Sequence, residues 1–239
     1  MSARICVIGS SYIGALYTAY KEAGSARDRY EVDFYGRAAG RFREVRISDG
    51  YVRNARFSSR EDSIPVDSYE AFVIYADLPS PEDLEQVLRE CRRASASGQL
   101  MKALVRDMVR TTASYRLARS LAQANGKPIL ILSRNVASPP RIALGEAVYD
   151  SLVAMLRRAV APYSYLPFPR QLFTGEFRPD PRFYQGSLDI AGDKAGTNER
   201  RDRNHMNELG GRLMLNAILD GVNDALQKST RTSVSKSHR

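Results

Sequence analysis

Two short stretches carry residue types that can do acyl chemistry together. In "CVIGSSYIG", residues 6–14, an apolar run breaks into Ser10 and Ser11 and then turns amphipathic. A serine hydroxyl is a weak nucleophile until a general base takes its proton, and the base in turn needs an orienting acid. The chain has only two histidines, and His238 is next to last in a basic tail. His205 follows Asp202 by three residues in "RDRNHMNELGG". Asp-x-x-His on a turn feeding a helix can bring the carboxylate to the imidazole and fix its tautomer. Ser11, His205 and Asp202 are therefore candidates for nucleophile, base and orienting acid.

Two other readings of the opening turn remain beside this one. Gly9-x-Ser11-x-x-Gly14 between a strand and a helix is one glycine short of a dinucleotide fingerprint, whose middle glycine lets a pyrophosphate approach the backbone. Its acidic partner would be Asp33, which sits inside "EVDFYG" instead of at its end. The third reading has no chemistry: Ser10 or Ser11 would cap the helix by accepting from its first amides.

Around these residues the sequence reads as alternating strands and helices. "RICVIG" (4–9), "YEVDFYG" (30–36), "YEAFVIYAD" (69–77) and "KPILILSRN" (127–135) are strand candidates, and all but the second are continuous apolar runs, as buried parallel strands are. Ile13, Leu16, Tyr17 and Tyr20 share one face of the helix after the first strand. "SPEDLEQVLREC" opens a helix with Ser80 as N-cap and Pro81 at the first position. "QLMKALVRDMVRTTASYRLARSLAQANG" reads as one helix of about 28 residues closing on Asn125-Gly126. Such repetition predicts a doubly wound α/β sheet.

After residue 136 the pattern changes. "GEAVYDSLVAMLRRAV" is an amphipathic helix, but residues 161–204 are rich in proline and aromatics and hold no period. Long irregular segments inside a domain are usually functional, so 136–204 is expected to fold as a lid or pocket wall over the strand ends. "HMNELGGRLMLNAILDGVNDALQ" gives a final helix burying Leu213, Leu215, Ile218, Leu219 and Val222. One domain is expected over 1–228, with 229–239 as a disordered basic tail.

Composition narrows the classes further. The chain has 239 residues and 43% hydrophobic residues, enough for a core. No run approaches the roughly 18 apolar residues of a membrane span, and the N-terminal apolar run is shorter than the about 7–15 of a signal peptide. A cytoplasmic protein is expected. Cys6 and Cys91 lie in no CxxC or Cys/His cluster, which argues against a zinc site. With 36 Lys+Arg against 27 Asp+Glu the net charge is +9. That field favours anionic partners, yet no nucleic-acid-binding signature sharpens it.

Gly9-Ser10-Ser11 at the end of strand one and Asp202-Arg203-Asn204-His205 before the last helix resemble the SGNH (GDSL-like) hydrolases. The run "HMNELGG" is similar to the H-x-N-x-x-G that follows the family's histidine, and the order of elements matches along the whole chain. The resemblance implies a flavodoxin-like three-layer sandwich with a parallel sheet. It also implies a Ser11-His205-Asp202 triad that hydrolyses or transfers acyl groups without metal or organic cofactor. Acetyl groups on carbohydrate are frequent substrates in this family. Its oxyanion hole would comprise the Ser11 amide, the Gly36 (or Gly40) amide and a side-chain amide. The family takes that last donor from Gly-x-Asn after strand three, where this chain has Ala76 and Leu78; Asn135, one strand later, is the candidate replacement. Tyr12, Asp77, Arg170 and Gln171 are the candidate substrate contacts, with Arg182 in the same segment as Arg170.

The expected function is thus an SGNH-type serine esterase or acyltransferase acting on an acylated carbohydrate or another polar ester, an anionic one included. Membrane and nucleic-acid partners are not expected. An inactive SGNH-like module that binds an anionic polymer or a protein is the alternative, and it predicts Ser11 and His205 beyond hydrogen-bond reach. A nucleotide-dependent enzyme is the third, and it predicts a phosphate at the helix N-terminus formed by residues 10–14.

Overall fold

A computed structural model of the chain describes residues 2–24, 29–37, 39–55, 63–135, 142–184 and 205–236. Five parallel strands form the central sheet: β1 (Ala3–Gly9), β2 (Tyr30–Gly36), β6 (Ala71–Leu78), β7 (Ile129–Ser133) and β8 (Ser164–Leu166). Their spatial order is β2-β1-β6-β7-β8. Counted in chain order that is 2-1-3-4-5, an order which flavodoxin-like sheets share.

Alternate residues of each strand face opposite layers. Ile5, Val7, Val73, Tyr75, Leu130 and Leu132 pack with helices α1 (Ile13–Glu22) and α6 (Glu208–Lys236). Cys6, Ile8, Phe72, Ile74 and Ile131 pack on the other side. There they meet α2 (Pro81–Arg93), α3 (Gly98–Arg110), α4 (Ala113–Asn125) and α5 (Glu146–Val160). The chain is an α/β protein with its sheet flanked by helices on both faces.

Helix ends follow local chemistry. Ser80 and Asp83 form a reciprocal capping box with Pro81 at the first position, and Gly126 closes α4 at φ +64°. The expected 28-residue helix is instead two, α3 and α4, separated at Thr111-Thr112. Thr112 is extended and its hydroxyl accepts from Tyr115 N–H, so a hydroxyl that competes with the helical backbone starts a new helix.

Four further strands lie outside those read from the sequence. β3 (Arg46–Ser48), β4 (Tyr51–Arg53) and β5 (Ser63–Pro65) form a separate antiparallel sheet. Asp49 and Gly50 both have positive φ and join β3 to β4 as a two-residue turn. Strand β8 supplies a fifth sheet strand from inside the segment read as irregular. The tail from 229, expected to be disordered, continues α6 to Lys236. No glycine or proline follows Gly221 to stop that helix. Leu215, Ile218, Leu219 and Val222 are buried as expected, together with Met214, while Leu213 is only half-buried. No described helix is long and apolar enough to cross a membrane.

Candidate active site

The turn after β1 is built by glycine. A Cβ at Gly9 would lie 2.5 Å from the Tyr75 carbonyl oxygen and 2.3 Å from Ile13 Cγ2, so a side chain there would push β1, β6 and α1 apart. Gly36 ends β2 directly beside Gly9, where a Cβ would be 2.9 Å from the Gly9 carbonyl oxygen. These close approaches bring the ends of three strands to the serine turn. In open α/β sheets, ligands bind at this carboxyl edge.

Neither serine hydroxyl caps α1. The N-cap is Tyr12 and has no side-chain cap bond. Backbone carbonyls start the helix instead: Ile13 N–H donates to Ser10 O at 3.2 Å and Gly14 N–H to Ser11 O at 3.4 Å. The Ser10 hydroxyl is buried without a hydrogen-bond partner. The Ser11 hydroxyl lies 2.7 Å from His205 Nε2, across 194 residues of chain. With the ring proton on Nδ1, Ser11 donates to Nε2, the arrangement a general base needs.

The reach predicted for an inactive module is therefore not the one found. The nucleotide reading also meets a different arrangement. Asp33 lies within β2 and accepts from Arg4 Nη2 at 2.9 Å and from the Tyr69 hydroxyl at 2.8 Å. Cys6 is fully buried, and burial with the Asp33 charge nearby pushes its thiol well above the usual range, so it offers no thiolate nucleophile.

Aromatic rings wall the pair. The Tyr12 ring is 5.5 Å from the imidazole of His205 and 5.5 Å from the ring of Tyr75. Tyr75 is fully buried, and burial beside the Tyr184 and Tyr12 phenols raises its hydroxyl well above the usual phenol range. It therefore stays protonated and donates to Asn135 Oδ1. Asn135 is buried, two residues beyond the end of β7. Ala76 and Leu78, at the positions where a Gly-x-Asn would stand, are both core residues.

Three of the remaining candidates have bonding partners of their own. Asp77 accepts from Ala113 N–H and Ser114 N–H at 2.8 Å each and from Ser114 Oγ at 2.6 Å. Its carboxylate thus holds the N-terminus of α4, where negative charge is favoured. Arg170 pairs with Glu146 and with Asp150, the latter at 3.0 Å, and lies over the Phe177 ring. Gln171 is exposed in the same 3-10 turn, and Arg182 is held by Asp180. Asp202 lies outside the described residues. Among the described residues no group of three potential metal ligands comes together.

The sequence reading passed over three residues at or near this edge. Tyr75 read only as the last aromatic of a strand. Arg134 follows β7, forks onto Asp83 through Nε and Nη2, and adds charge within range of the Tyr12 phenol. Asn207 immediately precedes α6, two residues after His205; its part in the H-x-N-x-x-G run was the available signal. A scan against protein-family models finds no match for the chain, and no curated protein matches it.

Proposed function

We propose that the protein is a serine esterase or acyl hydrolase of the SGNH type. Ser11 attacks an acyl carbonyl, His205 takes its proton at Nε2 and returns it to the leaving alcohol, and Asp202 orients the imidazole. Water completes hydrolysis, and a sugar hydroxyl in its place would complete acyl transfer. The observation that carries this reading is the 2.7 Å contact between Ser11 Oγ and His205 Nε2. It is supported by the failure of the serine hydroxyls to cap α1 and by the position of the turn at the sheet's carboxyl edge.

Asn135 is the proposed side-chain donor to the oxyanion, with the amides of Ser11 and Gly36 as the backbone donors. Tyr75 fixes the Asn135 carbonyl as the acceptor, so its amide nitrogen is turned away from that phenol. The substrate class is an acylated carbohydrate or another polar ester, with Tyr12 flanking the leaving group beside the imidazole.

The test is covalent labelling with a fluorophosphonate probe in the parent protein, Ser11→Ala and His205→Ala. Labelling of the parent that vanishes in Ser11→Ala and falls at least 100-fold in His205→Ala is the expected result. A folded parent that takes up no probe would overturn the reading.

A further inference from the structure

The base is not carried by α6 alone. Asn207, the residue before the helix, bonds in two directions. Its Oδ1 accepts from Gly210 N–H at 3.0 Å and its carbonyl from Gly211 N–H at 2.9 Å, which caps α6. Its own N–H donates to Phe183 O at 2.8 Å and its Nδ2 to Arg182 O at 2.7 Å. One planar amide thus ties the first turn of α6 to a separate turn more than twenty positions earlier in the chain.

That second turn is itself held from below. The buried Asp180 carboxylate accepts from Arg182 N–H at 3.0 Å, Nε at 2.9 Å and Nη2 at 2.6 Å. Asp180 N–H donates to Leu172 O at 2.9 Å, and Phe183 N–H to Asp180 O at 3.0 Å. Phe183, Tyr184 and Met206 are buried around the junction. Gly210 closes the other side, where a Cβ would lie 3.0 Å from the Phe183 carbonyl oxygen.

We infer that Asn207 is a positioning residue for His205, acting through the carbonyls of Arg182 and Phe183, and that the Asp180–Phe183 turn is the seat on which the base is mounted. The inference rests on the serine-hydrolase reading of the Ser11–His205 pair. Its physical content is that an N-cap requires only an acceptor, while this site uses a donor as well. Aspartate caps a helix about as well as asparagine, but a carboxylate cannot donate to the Arg182 carbonyl and repels it. A displacement of about 1 Å in a reacting group can cost about 10²-fold in rate, so the two functions of Asn207 separate in one substitution.

The experiment compares Asn207→Asp and Asn207→Ala with the parent, in the full chain. It reads the fluorophosphonate labelling rate, kcat and KM on an ester the parent turns over, and Tm. Asn207→Asp is expected to keep the parental Tm within a few degrees while labelling and kcat fall roughly 30- to 100-fold at unchanged KM. Asn207→Ala is expected to lose both rate and Tm. A parent that labels while Asn207→Asp labels equally fast overturns this inference alone. A parent that does not label overturns the hydrolase reading, and this inference with it. If Asn207→Asp fails to fold, Asn207→Ser makes the same comparison, since serine caps but is too short to reach the Arg182 carbonyl.

Discussion

Ala15 and Gly211 meet backbone against backbone: a Cβ at 211 would lie 2.3 Å from the Ala15 carbonyl oxygen. Ala15 belongs to the helix that leaves Ser11, and Gly211 to the first turn of the helix that follows His205. The contact therefore sets the distance between the helix that follows Ser11 and the helix that follows His205. A methyl group there cannot be absorbed by a flexible side chain, because the obstacle is the main chain of α1.

Gly211→Ala should push α6 away from α1, lowering stability by about 1–3 kcal/mol and probe labelling of Ser11 by at least 30-fold. Gly98→Ala, where nothing lies within 4 Å of the new methyl, should leave labelling unchanged. Parallel labelling and thermal melts of the two variants check this, and equal labelling in both would show that the helix spacing does not matter.

Leu78 stands where the resemblance would place an asparagine, yet it is wholly buried among apolar side chains. Leu78→Asn should cost about 3 kcal/mol, from lost apolar burial plus a polar group without partners, and should not raise ester turnover. On the proposed reading, Asn135→Ala should instead cut kcat by about 10²–10³, the usual effect of losing one oxyanion donor. Urea denaturation alongside rate measurements separates the two outcomes.

Asp77 bonds to the first amides of α4, and a structural role accounts for all of its described bonds. Asp77→Ala should destabilise by about 1–3 kcal/mol while KM for any ester substrate stays at the parental value. A raised KM with unchanged stability would make Asp77 a substrate contact.

Asp83 gives a pH dependence. Burial pushes its carboxyl up, but the Arg134 guanidinium and the Ser80 N–H and hydroxyl more than offset this, leaving it below the usual carboxylate range. Because the folded value lies below the unfolded one of about 3.9, the stabilisation is present above about pH 4. It is lost as pH falls through the folded value. Asp83→Asn should lower Tm near neutral pH and flatten its decline below about pH 4. A parallel fall in both proteins would mean that other carboxylates set the acid limb.

The parts of this structure that could be read in the sequence are those with long, repeated signals. β1, β6 and β7 are continuous apolar runs because both sheet faces are covered, and the Ser80-Pro81 start of α2 is written in two adjacent residues. His205 stood out because the chain has so few histidines. β8 is only Ser-Tyr-Leu, too short for any period, and is a strand because β7 offers it an edge. The β3–β4 hairpin carries its turn chemistry in Asp49-Gly50, but Arg-Ile-Ser and Tyr-Val-Arg are too short to show a strand period. The break at Thr111-Thr112 hides in a pattern that stays amphipathic across it. Tyr75 and Asn135 could not be paired from the sequence, because only the packing of β6 beside β7 brings together residues 60 positions apart.

The 194-residue separation of Ser11 and His205 also bears on when the pair exists. Contacts this distant in the chain carry a high loop-closure entropy and form slowly. A growing polypeptide that has not yet released α6 holds a serine that is an ordinary alcohol. On the proposed reading, a chain that still lacks His205 has no base to activate Ser11, so acyl chemistry there would wait until α6 has packed.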